Sequence, residues 1–216
     1  TMYKRIARKV AAEVKGDSFP IVLAGDHSNA GGTIAGIKKA YPNKNIGVVW
    51  IDAHADMHTP YTSPSGNIHG MPLATALGMD NIANQKNEPD FETQASWNNL
   101  KNTGSIQPKI KPEHLAFIAV RDTEIEEDNF IVQNGIKNFP VEEVRNKGIA
   151  QVITEIEEQM SNCELIYISF DVDSMDSSIS RGTGTPVENG LTVEEAKELV
   201  TTLGSLEKTC CVEFTE

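Results

Sequence analysis

The chain has 216 residues, 39% of them hydrophobic, and carries 19 basic against 31 acidic side chains, a formal net charge of −12. That is enough apolar material for one domain with a sizeable core, and the acid surplus excludes the basic footprint of a nucleic-acid binder and favours a soluble protein. No apolar run approaches the roughly eighteen residues of a membrane span and the first residues show no signal-peptide pattern, so no membrane contact and a cytoplasmic location are expected.

In chain order, residues 3–15 place Ile6, Ala7, Val10, Ala11 and Val14 at helical spacing, which predicts an amphipathic opening helix. Phe19 to Ala24 is a short apolar run of strand type, 29–40 reads as a helix, and Ile46 to Ile51 (IGVVWI) reads as a strand buried on both faces. A helix follows over 72–78, with Pro72 suited to its first turn. Residues 80–112, rich in Asn, Gln, Lys and Pro, are too long for an ordinary connection and read as a surface loop. His114 to Val120 predicts a strand, 148–160 a helix striped by Ile149, Val152, Ile153 and Ile156, and Leu165 to Phe170 (LIYISF) another buried strand. Thr192 and Glu195 stand in capping-box spacing ahead of a helix over 193–203. Thr209 to Phe214 closes as a strand, in which Cys210 and Cys211 should face opposite sides. With Cys163 these cysteines have no metal-type spacing and read as reduced thiols. The alternation predicts an α/β fold with a doubly wound, mostly parallel sheet.

The chemistry gathers where these strands end. Four of the five histidines fall within 27–69, and His27 and His54 are interleaved with aspartates in Gly25-Asp26-His27-Ser28 and Asp52-Ala53-His54-Ala55-Asp56; Asp171-Val172-Asp173 follows LIYISF. If extended geometry continued past the strands, Asp52, His54 and Asp56 would share one face, and Asp171 and Asp173 another. Strand ends in an open parallel sheet converge on one crevice, so His27, Asp52, His54, Asp56, Asp171 and Asp173 can form a two-metal site. Two imidazoles and four carboxylates are a hard, oxygen-rich set that suits manganese better than a thiolate-preferring metal, with zinc or iron as competitors. The plainer readings weigh differently by motif. Gly-Asp-His-Ser alone is turn chemistry. Asp-x-His-x-Asp after a fully apolar strand would be costly to bury without a cation. Gly-Asn-Ile-His-Gly at 66–70 describes a turn as readily as a catalytic loop, His114 reads as packing or surface, Trp50 as core, and Gly31-Gly32 as helix packing or a close approach to a ligand.

Four segments, GDHS at 25–28, DAHAD at 52–56, SGNIHG at 65–70 and SFDVDSMD at 169–176, extended by GTGTP at 182–186, resemble the ureohydrolase family, most closely its arginase branch. The resemblance implies the three-layer sheet fold shared by arginases and deacetylases, a single domain over 1–216, and a chain incomplete at both ends. Deacetylase chemistry would need a tandem histidine pair, which the sequence lacks. The resemblance places one Mn2+ among His27, Asp52, Asp56 and Asp171 and a second among His54, Asp52, Asp171 and Asp173, with Asp52 and Asp171 bridging. Two such cations about 3.5–4 Å apart generate hydroxide near neutral pH. By the same resemblance Asp56 orients that hydroxide, His69 shuttles a proton to the leaving amine, Glu216 pairs with the substrate guanidinium, and Thr185 supports this region. Ser63, Ser65 and Asn67 match a loop that grips an amino acid's α-carboxylate. His58 stands where an asparagine is usual and Glu124 where an aspartate is usual, while Asp122 matches a supporting contact. The implied activity is hydrolysis of L-arginine to L-ornithine and urea by a homo-oligomer. Agmatinase, guanidinobutyrase and formimidoylglutamase are alternatives with the same metal chemistry. A non-catalytic metal-binding relative and a two-metal phosphoesterase are further alternatives, the latter disfavoured by the lack of a basic cluster near the ligands.

Overall fold

The protein is described from a computed structural model that covers residues 1–16 and 18–216. Its helices are α1 (Met2–Glu13), α2 (Asn29–Ala40), α3 (Pro72–Leu77), α4 (Phe91–Lys101), α5 (Ile125–Asn134), α6 (Val141–Lys147), α7 (Ile149–Gln159) and α8 (Val193–Gly204). The strands are β1 (Ile21–Leu23), β2 (Ile46–Ile51), β3 (Leu115–Ile118), β4 (Lys137–Phe139), β5 (Leu165–Asp171) and β6 (Thr209–Thr215). They form one sheet in the order β1-β6-β5-β2-β3-β4, every neighbouring pair parallel.

Strand alternation builds the three layers. Ile46, Val48 and Trp50 of β2 pack with Val10, Ile34, Ile37 and Leu73 of α1, α2 and α3 on one face. Val49 and Ile51 pack with Val144, Val152, Ile156, Leu199 and Leu203 of α6, α7 and α8 on the other. A sheet covered on both faces requires the unbroken apolar run seen in β2, whose six residues are all buried. The chain proceeds from β2 to β3 and β4 in one direction, whereas β5 and β6 lie on the opposite side of β2. The switch point therefore falls between β2 and β5, where the register pairs Ile51 with Phe170 and sets Asp52 beside Asp171 at the carboxyl edge.

Helices α1 and α2 approach closely through glycine. A Cβ on Gly36 would lie 2.8 Å from the Ala7 carbonyl oxygen, and one on Gly31 would lie 2.6 Å from the Tyr3 ring. Helix packing is thus the structural use of Gly31.

Three expectations are corrected. Residues 80–112 are not a bare loop, because they contain α4, capped by Asp90 accepting from the Thr93 amide at 2.8 Å. Trp97 is only 2% exposed, packs on Met71 and Ala74, and donates its indole N–H to Asp80 at 2.7 Å. One large side chain anchors this helix, so no apolar stripe marks it. Helices α5 and α6 and the short strand β4 were not anticipated; α5 starts on a Glu124/Glu127 capping box and stops at Gly135, which has a φ of 61°. Cys210 and Cys211 do not face opposite sides, since β6 slips by one residue between the pairs Ile166–Thr209 and Tyr167–Cys211. The extra residue of that bulge leaves both thiols against the same core.

Candidate metal centre and adjoining cavity

The metal-type residues converge by bends rather than by continued extension. β2 ends at Ile51, the backbone bends through 52–54, and Asp56 takes a left-handed φ of 49°. A non-glycine residue held there costs about 1–3 kcal/mol, which the surrounding structure must offset. After β5, residues 172–174 wind into a single tight turn in which the Asp171 carboxylate accepts the Asp173 amide at 2.9 Å. The alternation expected from the sequence is therefore replaced, and the same side chains still meet.

Oxygens of Asp52, Asp56 and Asp171 stand 2.9, 3.0 and 3.2 Å from Nδ1 of His27. His54 Nδ1 stands 3.1 Å from Asp173 and 3.5 Å from Asp52. Asp52 therefore serves both sets, one oxygen toward each histidine. Nδ1 of His27 and Oδ2 of Asp52 are buried, yet neither makes a hydrogen bond of acceptable geometry. Such atoms aim at a common point rather than at each other, which is how ligands of a cation are arranged.

The electrostatics agree. Burial alone would depress the pKa of His27, but the adjacent carboxylates of Asp171, Asp52 and Asp56 override it and raise the value well above the ordinary range. Burial likewise works against His54, and Asp173 and Asp52 carry it to about 11. Burial and the Asp52 charge push Asp56 up to about 7. A cluster that draws protons onto histidine and carboxylate together is short of positive charge, which divalent cations supply. The donors are nitrogen and oxygen alone, consistent with manganese, zinc or iron.

Three of the six clustered side chains, His27, Asp171 and Asp173, are held from behind. The Trp50 ring stacks on His27 with centroids 4.0 Å apart and planes 12° apart, and Ser169 Oγ lies 2.6 Å from His27 Nε2. Thr215 donates to Asp171 at 2.7 Å, and the Ala53 amide and Thr185 hydroxyl donate to Asp173 at 3.1 and 3.3 Å. The Arg121 guanidinium donates to the carbonyls of Ala119, Asp173 and Val187, each at 3.0 Å, and so fastens the turn after β5.

A cavity of about 320 Å3 opens beside this cluster. His54, Asp56, His69 and Thr185 line one part, and His58, Ser63, Ser65, Asn67, Asp122, Glu124 and Glu127 also border it. Its size suits a small ligand, and its almost wholly polar lining suits a charged one. His58 is 7% exposed, with Nδ1 3.1 Å from the Thr62 hydroxyl and Nε2 2.9 Å from Glu124 and 3.5 Å from Glu127. Asp122 is mostly open to solvent, 3.7 Å from His54 Nε2. Glu216 accepts the Gly184 amide at 3.0 Å, which places it beside Thr185 rather than in the cavity lining.

The sequence model of the arginase family matches residues 1–216. The chain belongs to the arginase family. It is 38% identical over 193 residues to the arginase of Bacillus subtilis, covering 89% of this chain and 59% of that protein. Against the arginase of Bacillus caldovelox the identity is 39% over 214 residues, 99% of this chain and 66% of that one. A crystal structure of Entamoeba histolytica arginase in complex with L-ornithine matches with a TM-score of 0.84 at 34% identity, covering 99% of this chain and 67% of that one. The chain thus spans about 59–66% of the length of these two curated relatives.

Within this arginase-family site, every expected metal-type residue lies in the cluster, whereas four supporting residues were not foreseen. Glu127 is 3% exposed and accepts the Met57 amide at 2.9 Å; burial drives its pKa well up. Its capping-box spacing from Glu124 was the available signal. Ser169 shares a strand face with Asp171 at period two, and Thr215 faces Asp171 across the sheet, but both read as ordinary strand residues. Nothing in the local sequence announces that Arg121 would gather carbonyls.

Proposed function

We propose that the chain carries the site of a binuclear manganese hydrolase that cleaves the guanidino C–N bond of L-arginine to give L-ornithine and urea. The observation that carries this reading is the pair of donor sets sharing Asp52 at the mouth of one small cavity. His27, Asp52, Asp56 and Asp171 would hold one cation, and His54, Asp52, Asp171 and Asp173 the other. Bound there, paired divalent cations supply Lewis acidity and bring the pKa of water toward neutrality. Asp56, at the cavity wall, accepts a hydrogen bond from the attacking water and sets its direction. Glu216 pairs with the guanidinium once its carboxylate turns from Gly184, and Thr185 steadies that segment. His69 delivers a proton from a ring nitrogen to the departing amine, so that water and the guanidinium become urea and an ammonium.

Ser63, Ser65, Asn67 and Asp122 bind the amino-acid end in this reading. His58 and Glu124, which pair with each other here, can exchange partners with a zwitterion: the α-carboxylate takes the imidazole N–H and the α-ammonium takes the Glu124 carboxylate. A substrate without the α-carboxylate leaves the buried His58 imidazole without that partner, whereas Glu124, half exposed, can still meet water. The protein is taken to be a cytoplasmic homo-oligomer; no helix among the described residues is long and apolar enough to cross a membrane.

The tight His58–Glu124 pair also favours a second reading, in which the cavity takes a different amidino substrate, such as agmatine, 4-guanidinobutyrate or formimidoylglutamate. The deciding experiment measures urea release, or formamide for the last substrate, by the manganese-loaded intact protein. Turnover of L-arginine alone is expected. Turnover of another substrate alone replaces the first reading with the second, and silence on all four with two metals bound discards both in favour of a non-catalytic metal binder.

A further inference from the structure

The asparagine-rich stretch after α3, which the proposed chemistry leaves unused, forms a strap between the two sides of the cavity's amino-acid end. Asn81, Asn84 and Asn87 recur every third residue, and each donates a side-chain hydrogen bond. On one side the strap is fixed to α5, the helix that carries Glu124 at its start. Asn81 Nδ2 donates to the Glu126 carbonyl at 3.0 Å, and Asn129 Nδ2 donates to Asn84 Oδ1, also at 3.0 Å. The Lys86 ammonium pairs with the buried Glu126 carboxylate. On the other side the strap grips residues 60–63. The Lys86 and Asn87 amides both donate to the Tyr61 carbonyl, at 2.8 and 2.9 Å. Asn87 Nδ2 donates to the Ser63 carbonyl at 2.7 Å and to the Pro60 carbonyl at 3.2 Å.

The loop held in this way has little packing of its own. Residues 64–67 are exposed. Ser63, Pro64 and Ser65 border the cavity beside the metal cluster on one side and a second cavity of about 440 Å3 on the other. The loop is therefore a partition with open space on both sides, and hydrogen bonds must fix its shape. Ser63 Oγ accepts the Gly66 amide at 2.9 Å and Ser65 Oγ accepts the Asn67 amide at 3.2 Å, with Gly66 at a left-handed φ of 74°. Those two bonds curl the loop but tie it to nothing outside itself. The bonds from Asn87 supply such a tie, and they lead through Lys86 to the helix that presents Glu124. Small displacements of a group that positions substrate are costly to binding and turnover.

We propose that Asn87 is a positioning residue for substrate binding: through the Ser63 and Pro60 carbonyls it sets the 63–67 loop against the Glu124 end of the cavity, so that both poles of one α-amino acid are met together. The proposal rests on the reading of this cavity as an amino-acid site. It is tested with Asn87→Ala, which removes both side-chain donor bonds, and Asn87→Asp, which removes them at nearly constant shape. Steady-state kinetics of the manganese-loaded intact protein with L-arginine are combined with calorimetric binding of L-ornithine and with inhibition by n-butylguanidine, which has the guanidinium but no amino-acid end. KM for L-arginine and Kd for L-ornithine should both rise about 3- to 10-fold, the worth of one neutral hydrogen bond, while kcat stays within about twofold. The inhibition constant of n-butylguanidine and the bound manganese should match the parent. Unchanged KM and Kd, a loss confined to kcat, or a loss shared equally by n-butylguanidine would make the strap architecture alone and overturn the proposal. The aspartate variant decides if the alanine variant does not fold. A parent that neither turns over L-arginine nor binds L-ornithine overturns the amino-acid reading and this inference together, whereas a parent that does both beside indifferent variants overturns only the inference.

Discussion

Asp52 is the residue on which the two donor sets depend together, because one of its oxygens faces His27 and the other faces His54. Removing it leaves the two histidines without their shared counter-charge and, in the proposed two-metal site, would leave each cation one ligand short. Asp52→Asn should therefore lower bound manganese from two equivalents toward none, measured by elemental analysis after gel filtration; retention of both equivalents would remove Asp52 from the ligand set. Glu124 tests the other end of the cavity. Glu124→Gln keeps the shape and the hydrogen bond to His58 but removes the charge available to an ammonium. Loss of one charge-assisted contact predicts a fall of about 10- to 100-fold in kcat/KM for L-arginine, with little change for a substrate lacking the α-amino group. Equal losses on both substrates would assign Glu124 to the architecture of the site instead. These residues were legible to different degrees for a physical reason. Asp52, His54 and Asp56 follow a fully apolar strand, where charge is conspicuous. Ser169 and Glu127 look like ordinary strand and helix-start residues until the fold brings them to His27 and His58.

Elements were legible in proportion to how much of their surface is covered. β2 and β5 are buried on both faces and α2 is buried nearly throughout, so their apolar runs marked the boundaries closely. β4 has only Phe139 buried, and α4 is held by Trp97 and by polar contacts, which leave no periodic trace. Trp97→Ala should accordingly cost about 3–5 kcal/mol in a denaturant titration, as for other buried aromatics. A value near zero would mean that α4 is not docked. The junction of α3 and α4 carries a further test in Lys109, whose ammonium donates to the Thr75 and Lys101 carbonyls while only 2% exposed. Burial lowers its pKa from 10.5 to about 8. Between those values the unfolded chain holds a proton that the folded chain has released, so this group makes stability rise with pH across the window, by up to about 3 kcal/mol. Lys109→Met lacks the titration. The stability of the methionine variant relative to the parent should therefore decline as pH increases from about 8 to 10.5, and parallel pH profiles would show that the ammonium is solvated.

At the scale of the molecule, the order β1-β6-β5-β2-β3-β4 turns three strand ends that are far apart in sequence into one crevice. Parallel pairing and two covered faces followed from the apolar runs, but neighbour relations across the sheet are set by packing that no local pattern records. The switch between β2 and β5 gathers the carboxylates of Asp52, Asp56, Asp171 and Asp173 into a small volume in a chain whose formal charge is already −12. Folding without cations must hold these groups together against their repulsion, which protons on His27 and Asp56 relieve only in part. Cations that bind the folded chain and not the unfolded one stabilise it by mass action, about 2.7 kcal/mol per site when free metal is a hundredfold above its dissociation constant. A chain of this size gains about 2–4 °C in Tm per kcal/mol. Two loaded sites should therefore raise Tm by about 10–20 °C over chelated protein in calorimetric scans. Calcium at the same concentration should give less, because the clustered imidazoles favour transition metals over hard cations. A Tm indifferent to chelation and to added manganese would mean that the acidic crevice is stable on protons alone, and the two-metal reading would lose its physical basis.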